Sequence, residues 1–190
     1  MIGINFSNVD AAGTYSRPKA GGYVAKITRV VNDKAKERLD IEFDFAGGEF
    51  AGYYQDLYAR RGFWAGKFSK SYKEKALPFF KGFIEAVVAS NPNTDGLVIG
   101  DFEDVDETKL VGLAVGMVVG EKEYIGNDGI KKVKLDVYNA KFVPASNIAS
   151  GNFEVPELIP LEEYPAAQNT TEVVDTTADF GPVNDDDMPF

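Results

Sequence analysis

From Arg38 to Ala46 the chain alternates strictly, with Leu39, Ile41, Phe43 and Phe45 on one parity and Asp40, Glu42 and Asp44 on the other. Side chains of an extended strand point to opposite faces at successive residues, so this run buries one face and wets the other. A helix would scatter the same residues around its circumference. The segment therefore demands a sheet with a core beneath it, and the flanking sequence supplies the other strands. Tyr23 to Val31, rich in β-branched residues, is predicted to be the preceding strand, with the polar run Asn32 to Glu37 as the turn. Gly47-Gly48 turns the chain again, and the aromatic run Phe50 to Tyr58 is predicted to be a third strand.

The period changes between Lys75 and Ser90. Phe79, Phe80, Phe83, Ile84, Val87 and Val88 recur at helical spacing, and Phe79 and Phe80 are assigned to the core side of that helix. Pro78 suits its first turn and Asn91-Pro92 stops it. Leu113 to Tyr124 and Lys131 to Val143 are predicted strands joined by the hairpin turn Gly126-Asn127-Asp128-Gly129. The expected fold is mainly β: the order β-β-β-α-β-β is that of the OB-fold, a five-stranded barrel with one helix between strands three and four. Other small barrels share the order, and a fold does not fix a function. Residues 1–150 are expected to form this domain, with an irregular arm over 1–21. Residues 151–165 carry Val155, Leu158, Ile159 and Leu161 among prolines and are expected to dock on the barrel. Residues 166–190, rich in Thr, Asp and Asn, are expected to be a disordered acidic tail.

The net charge of −10 conceals a division along the chain. Residues 1–150 hold all 20 Lys and Arg and 20 of the 30 Asp and Glu, so the body is neutral and the remainder wholly acidic. Within the body, residues 60–81 carry Arg60, Arg61, Lys67, Lys70, Lys73, Lys75 and Lys81 against Glu74 alone, an expected basic surface for a polyanion. The chain has no cysteine, hence no disulfide frame and no thiolate metal site. It has no histidine, which removes the commonest general base and metal ligand and argues against an enzyme. No apolar run is long enough for a membrane span and no export signal is visible, so a cytoplasmic protein is expected.

The last residues read Asp185-Asp186-Asp187-Met188-Pro189-Phe190. This run resembles the C-terminal tip of bacterial single-stranded-DNA-binding proteins, which place consecutive aspartates before an aliphatic residue, proline and phenylalanine. Phe190 offers a ring and a carboxylate to one pocket rimmed by Arg or Lys, Pro189 limits the entropy lost on docking, and the aspartates add attraction to basic rims. The resemblance implies recruitment of replication, recombination and repair proteins. The plain alternative is a solubilising tail. Gly22-Tyr23-Val24-Ala25-Lys26-Ile27, Glu49-Phe50-Ala51-Gly52-Tyr53-Tyr54, Asn91-Pro92 and Glu123-Tyr124 carry a second likeness. Through them the body, across roughly residues 15–145, is similar to phage-encoded OB-type single-stranded-DNA-binding proteins.

Single-strand binders need cations along a groove and flat rings on which bases stack. Candidate cations are Lys26, Arg60, Arg61, Lys67, Lys70, Lys73, Lys132 and Lys134; candidate rings are Tyr53, Tyr54, Trp64 and Tyr138. Beyond Phe79 and Phe80, about half of the aromatics in 53–81 are expected in the core, and Trp64 is open to either role. Alternation in the last strand places Lys132, Lys134 and Tyr138 on one outer face. The acidic tail is expected to compete with DNA for the cations.

Other chemistries fit less well. Asp101, Glu103, Asp104, Asp106 and Glu107 crowd one loop, whereas a two-metal site draws carboxylates from several elements. The run from Asn91 to Gly96 starts like a calcium loop, but its twelfth position is Phe102 and not glutamate. No phosphate-binding glycine loop occurs. The reading is a non-catalytic single-strand binder with little sequence preference and no cofactor or metal. Self-association into dimers or tetramers is compatible with it. The competitors are an OB-type adaptor that contacts protein, and a carboxylate-dependent nuclease.

Overall fold

The computed structural model describes residues 16–94 and 106–161. The elements are β1 (Gly21–Asp33), β2 (Arg38–Phe45), α1 (Tyr53–Arg61), β3 (Lys67–Ser71), α2 (Leu77–Ser90), β4 (Ala114–Ile125), β5 (Lys131–Val143) and α3 (Ala145–Ser150). The strands form one antiparallel sheet in the order β3-β2-β1-β4-β5. Its two outer strands approach each other: the Phe68 ring on β3 lies 4.9 Å from the Phe142 ring on β5, and Lys70 Nζ sits 4.3 Å above Phe142. The sheet is therefore a nearly closed, OB-fold-like five-stranded barrel, with α2 between β3 and β4.

The alternation of β2 holds in the structure. Leu39, Ile41, Phe43 and Phe45 are buried, joined by Ala25 and Ile27 from β1 and by Val115, Met117 and Val119 from β4. Helix α2 adds Phe80, Phe83, Ile84 and Val87 to the same core. Asn91 ends the helix and ties it to the next strand: its Nδ2 donates to Val87 O (2.6 Å) and Ala114 O (2.8 Å), while its Oδ1 accepts from Ala114 N (3.0 Å).

Two expectations need correction. Phe50 to Tyr58 is not a strand: Tyr53–Arg61 is helix α1, and the third strand is the later, shorter β3. Aromatic content suggested β structure, but Gly52 and Gly62 bracket the segment with φ of 76° and 75°, and Gly62 N–H closes the helix on Tyr58 O at 2.8 Å. Asp56 in the first turn and Arg60 and Arg61 in the last complement the helix dipole. Phe79 does not belong to the core; it is 76% exposed. The buried arc of α2 runs through Phe80, Phe83, Ile84 and Val87, which turns Phe79 outward with Pro78 and Lys81.

The start of α1 is held from outside the helix. Asp44, on the outer parity of β2 yet only 9% exposed, accepts from Tyr54 N at 2.9 Å and Phe45 N at 2.8 Å through Oδ1, and from Gln55 N at 2.9 Å through Oδ2. Glycine at the cap offers no side-chain acceptor, and a carboxylate from β2 supplies one.

After α3 the chain runs back along β4. Ile159 N donates to Glu121 O and Glu123 N to Ile159 O, both at 2.9 Å, a parallel bridge on the stretch of β4 that β1 leaves uncovered. Leu161 N donates to Glu123 Oε2 at 2.9 Å, and Lys131 Nζ sits 2.6 Å from the same oxygen. Hydrogen bonding from Lys131 and from the Leu161 amide holds the Glu123 carboxyl below the ordinary glutamate range. Phe153 lies over Gly22, where a Cβ would come within 2.5 Å of the ring, and Pro156 lies over Gly120.

Candidate nucleic-acid interface

The outer face of the barrel wall formed by β1, β2 and β3 is a shallow groove lined by Arg29, Val31, Arg38, Asp40, Glu42, Lys67, Ser69 and Tyr138, with Ile41 and Phe68 beneath. Register explains why these side chains meet. Glu42 pairs with Lys67 and Asp40 with Ser69 across β2 and β3, which puts all four outside. On β1, Ile27 pairs with Phe43 but Arg29 pairs with Glu42, so Thr28 is the extra residue of a β-bulge. The bulge reverses parity and turns Arg29 outward beside Glu42.

Tyr138 arrives from β5 by a second irregularity. Val118 pairs with Lys141 and Gly120 with Asp136, so Val119 alone faces residues 137–140. The excess chain bends out, and Tyr138, 59% exposed, reaches β3 with its hydroxyl 3.4 Å from Ser69 Oγ. The bend is pinned at its base. Asp136, 2% exposed, accepts from Asn139 Nδ2 at 2.6 Å and faces Lys122 Nζ at 3.1 Å.

The groove carries both signs of charge. Arg29 Nη1 and Lys67 Nζ both address Glu42 Oε1, at 3.4 and 3.2 Å. Arg38 Nε lies 3.1 Å from Asp40 Oδ1 and 3.9 Å from Asp33, and Asp40 Oδ1 also accepts from Ser69 Oγ at 2.6 Å. Arg29 and Lys67 are largely exposed, and pairs made by such cations are worth about 0–1 kcal/mol each, so these two are held lightly.

The cations of residues 60–81 do not form the single basic surface expected of them. Lys67 faces the groove. Lys70 pairs with Leu39 on the inward parity and rests on Phe142, where burial lowers its pKa. Arg60 and Arg61 end α1, with Arg60 lining a hollow shared with Glu49, Tyr53 and Asp56. Lys73 is exposed before the 3-10 turn Glu74–Ala76, and Lys81 on α2 pairs with Glu85 at 3.8 Å. Lys26 is exposed on β1, between Asp44 on β2 and Ala114 on β4.

The rings divide as well. Tyr54 is 5% exposed and packs on Phe43, Phe45 and Tyr53, so it has no face open to a base, contrary to expectation. Trp64 is half-buried against the core, donating from Nε1 to Gly66 O at 3.1 Å. Lys132 lies 3.1 Å from Asp128 and Lys134 lies 4.8 Å above the Tyr124 ring, whereas Tyr138 neighbours Ser69, because the bend in β5 interrupts the alternation expected to place the three together. Arg29 and Arg38 escaped sequence reasoning. Simple alternation from Ala25 and Ile27 turns Arg29 inward, and only the bulge reverses it.

Among the described residues no group of three or more potential metal-ligating side chains converges, and no helix is long and apolar enough to cross a membrane. Of the acidic loop, residues 101–105 lie outside the described part, and Asp106 caps the 3-10 turn Glu107–Leu110 through Thr108 N (3.1 Å) and Oγ1 (2.6 Å). The tip Asp185-Asp186-Asp187-Met188-Pro189-Phe190 also lies outside the described residues. Comparison with protein-family models and with curated proteins finds no match for the sequence.

Proposed function

We propose that this chain is a non-catalytic binder of single-stranded DNA, which it holds on the outer face of β1–β2–β3 with little sequence preference. The observation that carries the reading is the exposed Tyr138 ring, set by the bend in β5 beside Val31 and Ser69 and flanked by Arg29, Arg38 and Lys67. An exposed aromatic face beside cations is what a stacked base and its phosphates require. Tyr138→Ala is expected to weaken binding of a fluorescent oligo-dT by about 1–3 kcal/mol, the range for one lost stacking partner, with an unchanged melting temperature. Undiminished affinity in that titration contradicts the assignment of this groove.

The second part of the proposal is recruitment of replication, recombination and repair proteins, of phage or bacterial type, through the run from Asp185 to Phe190. It rests on the sequence resemblance. Deleting residues 166–190 is expected to abolish capture of such partners and to raise oligo-dT affinity at low salt, because an acidic competitor is removed. Capture that survives the deletion, or affinity that does not rise, counts against it.

One observation favours an adaptor that contacts protein. Ile125, Ile130, Val133, Val155, Leu158 and Ile159 are each more than 40% exposed on the β4–β5 hairpin and the segment that follows α3. Exposed apolar residues grouped in this way suit a protein partner. Quenching of Trp64 and tyrosine fluorescence by oligo-dT, or its absence, separates the two readings.

A further inference from the structure

We infer that Arg29 and Lys67 form a seat for one backbone phosphate, and that Glu42 occupies it when no strand is bound. The inference rests on the reading of the groove as a nucleic-acid site and adds the position of one phosphate and the residue that contests it. A single carboxylate oxygen, Glu42 Oε1, receives Arg29 Nη1 at 3.4 Å and Lys67 Nζ at 3.2 Å. One anionic oxygen between two cations from neighbouring strands is the arrangement a phosphodiester oxygen takes up between Arg and Lys. The cations come to that position from opposite sides of β2: the bulge at Thr28 brings Arg29, and the β2–β3 register brings Lys67.

The exchange is feasible. The Arg29 and Lys67 side chains are 65% and 56% exposed, so both can turn to an incoming strand without unfolding anything, and exposed ion pairs of this type contribute little. The Glu42 side chain is the less mobile partner, 19% exposed. It stays in the groove after displacement and opposes the phosphate. Glu42 therefore lowers the affinity of the site and limits how many counterions a bound strand releases. Tyr138, lining the same groove, would stack the neighbouring base.

The test uses the full chain and fluorescein-labelled oligo-dT, titrated across salt concentrations. Glu42→Gln is expected to bind roughly threefold to tenfold more tightly at low salt, and to steepen the slope of log K against log salt by up to about 0.7, because the carboxylate no longer opposes the phosphate in the seat. Glu85→Gln, which removes one charge from the Lys81 pair on α2, controls for net charge and is expected to change little. The gain from Glu42→Gln is expected to vanish when Arg29→Gln and Lys67→Gln are added. In the otherwise native chain, those two changes alone are expected to weaken binding and flatten the slope, a reading that holds even if Glu42→Gln lowers stability. A gain no larger than that of Glu85→Gln, or one that survives loss of both cations, overturns the phosphate seat. Normal binding that depends on Tyr138 while Glu42→Gln is silent sinks the seat and spares the groove. Failure of every form to bind oligo-dT sinks both.

Discussion

Replacing Asp44 with alanine is expected to lower the unfolding free energy by about 3 kcal/mol. The carboxylate answers the amides of Phe45, Tyr54 and Gln55, and it is 9% exposed, so little water can take its place. Each buried amide left without an acceptor costs about 1–3 kcal/mol; those at the head of α1 recover part of that by fraying. In a chain of this length the loss corresponds to a fall in melting temperature of about 6–12 °C. Asp44→Asn keeps one carbonyl acceptor and is expected to lose about half as much. Thermal and urea unfolding of the three forms measures this. An alanine variant within about 0.5 kcal/mol of the parent would show that α1 is not anchored through β2.

The second large effect is expected at Lys122. Removing it leaves Asp136, 2% exposed, with Asn139 as its remaining side-chain partner, and an unpaired buried charge is strongly destabilising. The Lys122 side chain is itself 34% exposed, so screening discounts the loss. Lys122→Ala is expected to cost about 2–3 kcal/mol. The double variant Lys122→Met with Asp136→Leu removes both charges and is expected to regain most of that stability. It also removes the Asn139 hydrogen bond that pins the bend in β5, so oligo-dT affinity should fall as Tyr138 loses its aim. A double variant that is stable and binds normally would show that Asp136 does not position Tyr138.

What could be read from the sequence follows from which interactions are local. The strands at 38–46, 113–124 and 131–143 and the helix at 75–90 announce themselves by period and by breakers, and the structure has each of their ends within two residues. The segment 50–58 misled because Tyr53, Tyr54 and Tyr58 favour strands. The deciding signals were the flanking Gly52 and Gly62 and a carboxylate nine residues upstream of Tyr53. The groove was legible only in Lys67 and Tyr138. Arg29 and Arg38 belong to it because of one bulged residue and a register between strands, and neither leaves a mark in the local pattern. Tyr138 was placed correctly on the outside of the barrel but with the wrong neighbours, for the same reason.

The pairing of Ile159 with Glu121 and Glu123 bears on how this barrel can be cut. Those backbone groups belong to a stretch of β4 that outruns β1, and a bare strand margin of that kind recruits strands from other molecules. The chain plugs its own gap, with Phe153 and Pro156 fitted over two glycines that leave room for them. A fragment ending at Val143 would keep every strand of the barrel and still present a sticky rim. A fragment cut to keep that rim covered is therefore expected to run through Leu161.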